Sequence, residues 1–73
     1  MSKLPVISGL ELIKYLSKKG FEPARQSKHV VMRGNNRRPF PVPMHPELDR
    51  GTLLGILEQA DISRDEFIRD WYG

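Results

Sequence analysis

The stretch Pro39-Phe40-Pro41-Val42-Pro43-Met44 limits the fold more than any other part of this chain. Its alternation reads as a β-strand with Phe40, Val42 and Met44 on one side. Three prolines cannot donate to a hydrogen-bonded ladder, so a strand over Arg37–Met44 must lie on the edge of a sheet. Two further strands precede it. His29-Val30-Val31-Met32-Arg33 has β-branched residues at its centre. Gly34-Asn35-Asn36, whose residues tolerate positive φ, forms the hairpin turn between the two. Glu22–Gln26 reads as a second edge strand, ragged at Pro23, with a turn at Ser27-Lys28.

Helices flank this sheet. Ser8-Gly9-Leu10-Glu11 reads as a capping box opening a helix that runs to about Lys19. Leu12, Ile13 and Leu16 form its apolar face, with Lys14 and Lys18 opposite. Gly20 supplies the left-handed residue that ends the helix, and Phe21 the apolar contact beyond it. After a polar loop at His45–Asp49, a second helix begins near Gly51 or Thr52 and reaches about Ala60. Leu53, Ile56, Leu57 and Ala60 give it one apolar stripe. Ser63-Arg64-Asp65-Glu66 reads as a second capping box. It opens a short last helix, with Phe67, Ile68 and Trp71 on one side and Trp71 and Tyr72 packing at its end.

The expected architecture is α+β, in the order α-β-β-β-α plus a short C-terminal helix. A three-stranded antiparallel sheet carries its helices on one face. The other face stays open to solvent or to a partner. Val30 and Met32 point to the helices; His29, Val31 and Arg33 point to the open face, and His45 also leaves the core side.

Seventy-three residues make one domain, residues 1–73, with no room for a second core. The chain has no cysteine, which removes disulfides, thiolate metal sites and cysteine nucleophiles. Two histidines without cysteine make a poor zinc site, so no metal and no cofactor are expected. No apolar run is long enough to cross a bilayer, and Met1–Leu10 lacks the apolar core of a signal peptide. The expected location is the cytoplasm, away from membranes.

The net charge of +3 hides an asymmetry. Residues 1–38 carry nine Lys and Arg against two acids, whereas residues 39–73 carry three Arg against seven acids. A one-sided basic field suits a polyanion. Lys14, Lys18, Lys19, Arg25, Lys28, Arg33, Arg37 and Arg38 can neutralise phosphates, and affinity is then steeply salt-dependent. Phe21, Phe40 and Phe67 read as core rather than as stacking platforms. Gly51-Thr52 opens a helix but lacks the glycine-rich loop and lysine of a phosphate-binding loop.

These residues resemble the HicA toxins of HicA–HicB toxin–antitoxin systems. The matching stretches are Gly20-Phe21-Glu22, Arg25-Gln26, His29-Val30-Val31, Val42-Pro43-Met44-His45-Pro46 and Gly51-Thr52-Leu53-Leu54-Gly55-Ile56-Leu57. Asp61-Ile62-Ser63 and Glu66-Phe67 fit the family's C-terminal end. The resemblance implies a fold like a double-stranded-RNA-binding domain. It implies a ribosome-independent endoribonuclease, an mRNA interferase, silenced by a HicB-type antitoxin. The family's catalytic histidine follows a glycine and a serine at the start of the second strand and maps onto His29. Here Gln26-Ser27-Lys28 precedes it, one residue shorter and without the glycine.

The chemistry suits that position. RNA is cleaved by its own 2′-hydroxyl when a base, an acid and positive charge surround the phosphate, and imidazole titrates near neutral pH. Arg25, Lys28 and Arg33 are the nearest candidates for charge. Arg37, Arg38, Lys18 and Lys19 are the further RNA-binding candidates. His45 is a candidate second acid–base group or RNA contact, against a plain loop role. Two rival readings share the fold: an RNA-binding module without chemistry, and a HicB-binding partner that has lost activity.

Overall fold

The computed structural model describes residues 4–26, 29–34 and 38–73, with residues 25, 26 and 29 described by their backbone. The element order is α1 (Gly9–Lys18), β1 (Glu22–Gln26), β2 (His29–Arg33), β3 (Phe40–Pro43), α2 (Arg50–Gln59) and α3 (Arg64–Tyr72). The strands form one antiparallel meander in the order β1-β2-β3. Both proline-bearing strands are therefore edges, as their missing amide donors require. This is the expected α+β architecture, and its element order is consistent with the double-stranded-RNA-binding-domain-like arrangement. The turns expected at Ser27-Lys28 and at Asn35-Asn36 lie outside the described residues.

Register follows the apolar alternation. Val30 lies opposite Val42 and Met32 opposite Phe40, and all four side chains are buried. Val31 is half-buried, while Arg33 and Pro41 are exposed on the other face. Leu12, Ile13 and Leu16 of α1 and Leu53, Ile56 and Leu57 of α2 join the same core, along with Phe21 and Phe67. The helices thus cover one face of the sheet.

Helix ends explain much of the packing. Ser8 caps α1 in a complete capping box, its hydroxyl accepting from the Glu11 amide while the Glu11 carboxylate accepts from the Ser8 amide. Beyond α1, Gly20 adopts φ 98°. The Phe21 amide donates to the Leu16 carbonyl and the Gly20 amide to the Ser17 carbonyl, a full Schellman closure. Helix α2 closes the same way, with Asp61 at φ 60° in the glycine position.

All three helices also share an entry pattern. An apolar residue precedes each cap and another follows it five positions later: Ile7 and Leu12, Leu48 and Leu53, Ile62 and Phe67. All six are buried in the core cluster, as hydrophobic staples are. Two of these entries are tied together, because the Leu48 amide donates to the Ile7 carbonyl and the Gly9 amide to the His45 carbonyl.

Several sequence expectations need correction. The third strand is shorter than Arg37–Met44. Pro39, next in register opposite Arg33, has no amide hydrogen to extend the ladder. At the other end the chain past Pro43 turns to meet the Gly9 amide, so Met44 is 43% exposed rather than core. The loop His45–Asp49 is not wholly polar, because Leu48 is buried. Helix α2 starts at Arg50, with Asp49 as its cap accepting from the Thr52 amide and hydroxyl. Ser63 caps α3, but the Glu66 carboxylate turns to Lys19 instead of completing a second box. Tyr72 is exposed, whereas Trp71 packs on the core.

Candidate functional site

His29 is the first residue of β2, and its backbone lies opposite Pro43 at the end of β3. His45 follows Pro43 by two residues, in an exposed loop fixed by the Gly9 amide on its carbonyl oxygen. The topology therefore brings both histidine positions to one end of the sheet. On the other side of β2, the ladder to β1 carries an irregularity between Pro23 and Arg25, so Gln26 lies opposite Val30 and Arg25 opposite Val31. A bulge of this kind re-aims the residues around it. The outward aim expected of the His29 side chain, and the contacts expected of Arg25, Lys28 and Arg37, fall outside the described residues.

The described members of the basic candidate set lie elsewhere. Arg33 ends β2, and Arg38 precedes β3 at the same end of the sheet; both are exposed. Four residue steps at about 3.3 Å each separate Arg33 from His29, roughly 13 Å along the strand. Gly34 brings the end of α1 to this region, since a Cβ there would stand 2.8 Å from the Gly20 carbonyl oxygen. Lys18 is exposed in the last turn of α1. Arg33 and Arg38 thus stand at the opposite end of the short sheet from the two histidine positions.

Lys19 has a different setting from the other basic candidates. Its ammonium holds the Glu66 carboxylate at 2.8 Å and the Asp70 carboxylate at 2.6 Å, tying α1 to α3. The Tyr15 hydroxyl donates to the same Asp70 at 2.9 Å, and the Tyr15 ring meets Phe67 edge-on with centroids 4.9 Å apart. Hydrogen bonds from Lys19 and then from Tyr15 hold the Asp70 carboxyl below the usual carboxylate range. Burial, followed by the bond to Asp70, pushes the Tyr15 hydroxyl up. The Asp70 and Glu66 bonds likewise push Lys19 up. The chain's sequence gives little sign of this cluster, because its members lie 47 and 55 residues apart. The available signal was Glu66 and Asp70 at helical spacing on one face of α3.

Among the described residues, no three His, Asp or Glu side chains gather as metal ligands. No helix among them is long and apolar enough to cross a membrane.

The family model described as "HicA toxin of bacterial toxin-antitoxin" matches residues 9–62. No curated protein and no solved structure matched the chain. The matched span runs from the first residue of α1 through the whole sheet and α2, and contains both histidines. It takes in more than half of the 73 residues, and the chain belongs to the HicA family of toxins from bacterial toxin–antitoxin systems.

Proposed function

We propose that this toxin is an endoribonuclease that cleaves messenger RNA without the ribosome, with His29 as its general acid–base residue. The observation that carries the reading is the family match, which includes His29 at the start of β2. In the proposed step, the ribose 2′-hydroxyl attacks the adjacent phosphorus and the bond to the 5′-oxygen breaks. One proton leaves the 2′-hydroxyl and another reaches the departing 5′-oxygen. His29 accepts the first or supplies the second, as an imidazole with an unperturbed pKa of about 6.5 is suited to do. His45 is the candidate for the complementary transfer.

Positive side chains stabilise the charge that develops on the phosphoryl oxygens. Arg25, Lys28, Arg33, Arg37 and Arg38 form the proposed RNA-binding set of the sheet, and Lys18, on α1, is a further proposed contact apart from them. Lys19 serves instead as a clamp between α1 and α3, because two carboxylates already engage it. The cognate partner in this reading is a HicB-type antitoxin that covers His29, and the site of action is the cytoplasm.

Because the substrate brings its own nucleophile, cleavage continues in EDTA. The products carry 2′,3′-cyclic phosphate or 3′-phosphate ends. RNA methylated on the 2′-oxygen at the cut resists, and so does DNA. Products with 5′-phosphate ends that require added Mg²⁺ overturn the mechanism. The residues Gln26-Ser27-Lys28, without a glycine before His29, favour a second reading in which the chain binds RNA without cutting it. A salt-dependent RNA complex with intact RNA selects that alternative.

A further inference from the structure

A groove of about 610 Å³ runs between α1 and α3, on the clamp side of the molecule. That size lies within the range of small-ligand sites. Trp71 forms part of its wall, with its ring packed against Phe67 at a centroid distance of 5.6 Å. Lys14 and Lys18 line the opposite side, one helical turn apart on α1. Helix α3, which supplies Asp70 and Trp71, lies beyond the span matched by the toxin family, whereas the α1 side of the groove lies within it.

The groove also contains acids, but each is already engaged. Glu11 accepts the Ser8 amide in the capping box. Asp70 accepts from both Lys19 and Tyr15. Lys14 and Lys18 are exposed and make no ion pair with any described residue. The groove therefore presents two available cations beside an indole, with its carboxylates held by other partners. Cations along a backbone track and an aromatic wall for a base are the parts that grip single-stranded nucleic acid.

We propose that this groove is an auxiliary site for single-stranded RNA, in which a base stacks on Trp71 and flanking phosphates lie on Lys14 and Lys18. The proposal rests on RNA being the toxin's substrate. The groove adds a second hold on the strand, separate from the end of the sheet that carries the histidines. A strand that occupies both is held more tightly than either contact alone allows, as linked contacts are.

Trp71 is the chain's only tryptophan, so its emission reports directly on the groove. The probe is an oligouridine methylated on every 2′-oxygen, which cannot be cut by the proposed mechanism. Its binding is followed twice, by Trp71 emission and by anisotropy of a labelled strand. Saturable quenching that coincides with the anisotropy change is the expected result. The double variant Lys14→Gln/Lys18→Gln should fold normally, since both side chains are exposed. It should lose the quenching and lower the salt slope of binding by roughly 1.4, about 0.7 for each lost contact on a single strand.

Binding without any change in Trp71 emission overturns the groove, and so does an unchanged salt slope in the double variant. Cleavage of unmodified RNA by the wild type is measured in the same buffer and tests the nuclease reading separately. Cleavage without quenching removes the groove and leaves the nuclease. Quenching without cleavage leaves the groove and removes the nuclease. No binding of the probe removes the groove, and no cleavage of unmodified RNA removes the nuclease.

Discussion

Two glycine-to-alanine substitutions should shift stability in opposite directions. Gly9 opens α1, where alanine is the better helix former by up to about 1 kcal/mol. The tertiary structure opposes that gain. A Cβ on Gly9 would lie 2.1 Å from the Pro43 carbonyl oxygen and 3.2 Å from the Met44 Cα. The first distance is about 0.9 Å short of the 3.0 Å that real Cβ atoms respect, and the obstacle is backbone. The helix start must therefore move away from β3. That movement strains packing by about 1–3 kcal/mol. It also weakens the 3.0 Å bond from the Gly9 amide to the His45 carbonyl, worth about 1 kcal/mol. Gly9→Ala should thus destabilise by about 1–3 kcal/mol net, a drop of roughly 4–8 °C in Tm for each kcal/mol in a domain of this size.

Gly55 is the control. It sits inside α2 with nothing within 4 Å of the position its Cβ would take. Gly55→Ala should stabilise by about 0.5–1 kcal/mol through helix propensity and a less flexible unfolded chain. Urea unfolding followed by circular dichroism measures both. A Gly9→Ala protein as stable as wild type, or a Gly55→Ala protein less stable than wild type, refutes the reasoning.

Other perturbations have equally definite expectations. Leu16 is fully buried, and Leu16→Ala should cost about 2–5 kcal/mol in the same urea experiment. Ser8→Ala removes the α1 cap and should cost about 0.5–2 kcal/mol, with Ser8→Gly milder. Asp70 is held below the usual carboxylate range by Lys19 and then Tyr15. A depressed folded pKa gives stability that is present above the unfolded value, about 3.9, and is lost as pH falls through the folded one. Thermal melts across pH should therefore show wild-type stability falling below about pH 4, with a shallower acid fall in Asp70→Asn.

Where the sequence could be read, its signals were local. The Ser8 box, the Gly20 stop and the alternating prolines act within a few residues, and each stands where its own chemistry requires. The misses involve contacts between distant segments. Gly9 reads as part of a cap, but its lack of a side chain is needed by Pro43 and Met44, which lie 34 and 35 positions away. Leu48 reads as a loop residue until the staple pattern around Asp49 is seen. Lys19 reads as one more surface cation, and only the docking of α3 reveals its two carboxylates. In the candidate site, strand order sets His29 opposite Pro43 and brings His45 to the same end. The clamp and its groove depend on α3, whose position no local pattern in α1 specifies.

The central claim is that His29 carries the chemistry, and the cleavage rate of a purified His29→Ala protein on a defined RNA tests it most directly. The account predicts a loss of about 10²–10⁴-fold, the usual share of one acid–base group, with RNA affinity largely kept because phosphate contacts dominate binding. Wild-type cleavage rate in the His29→Ala protein would contradict it.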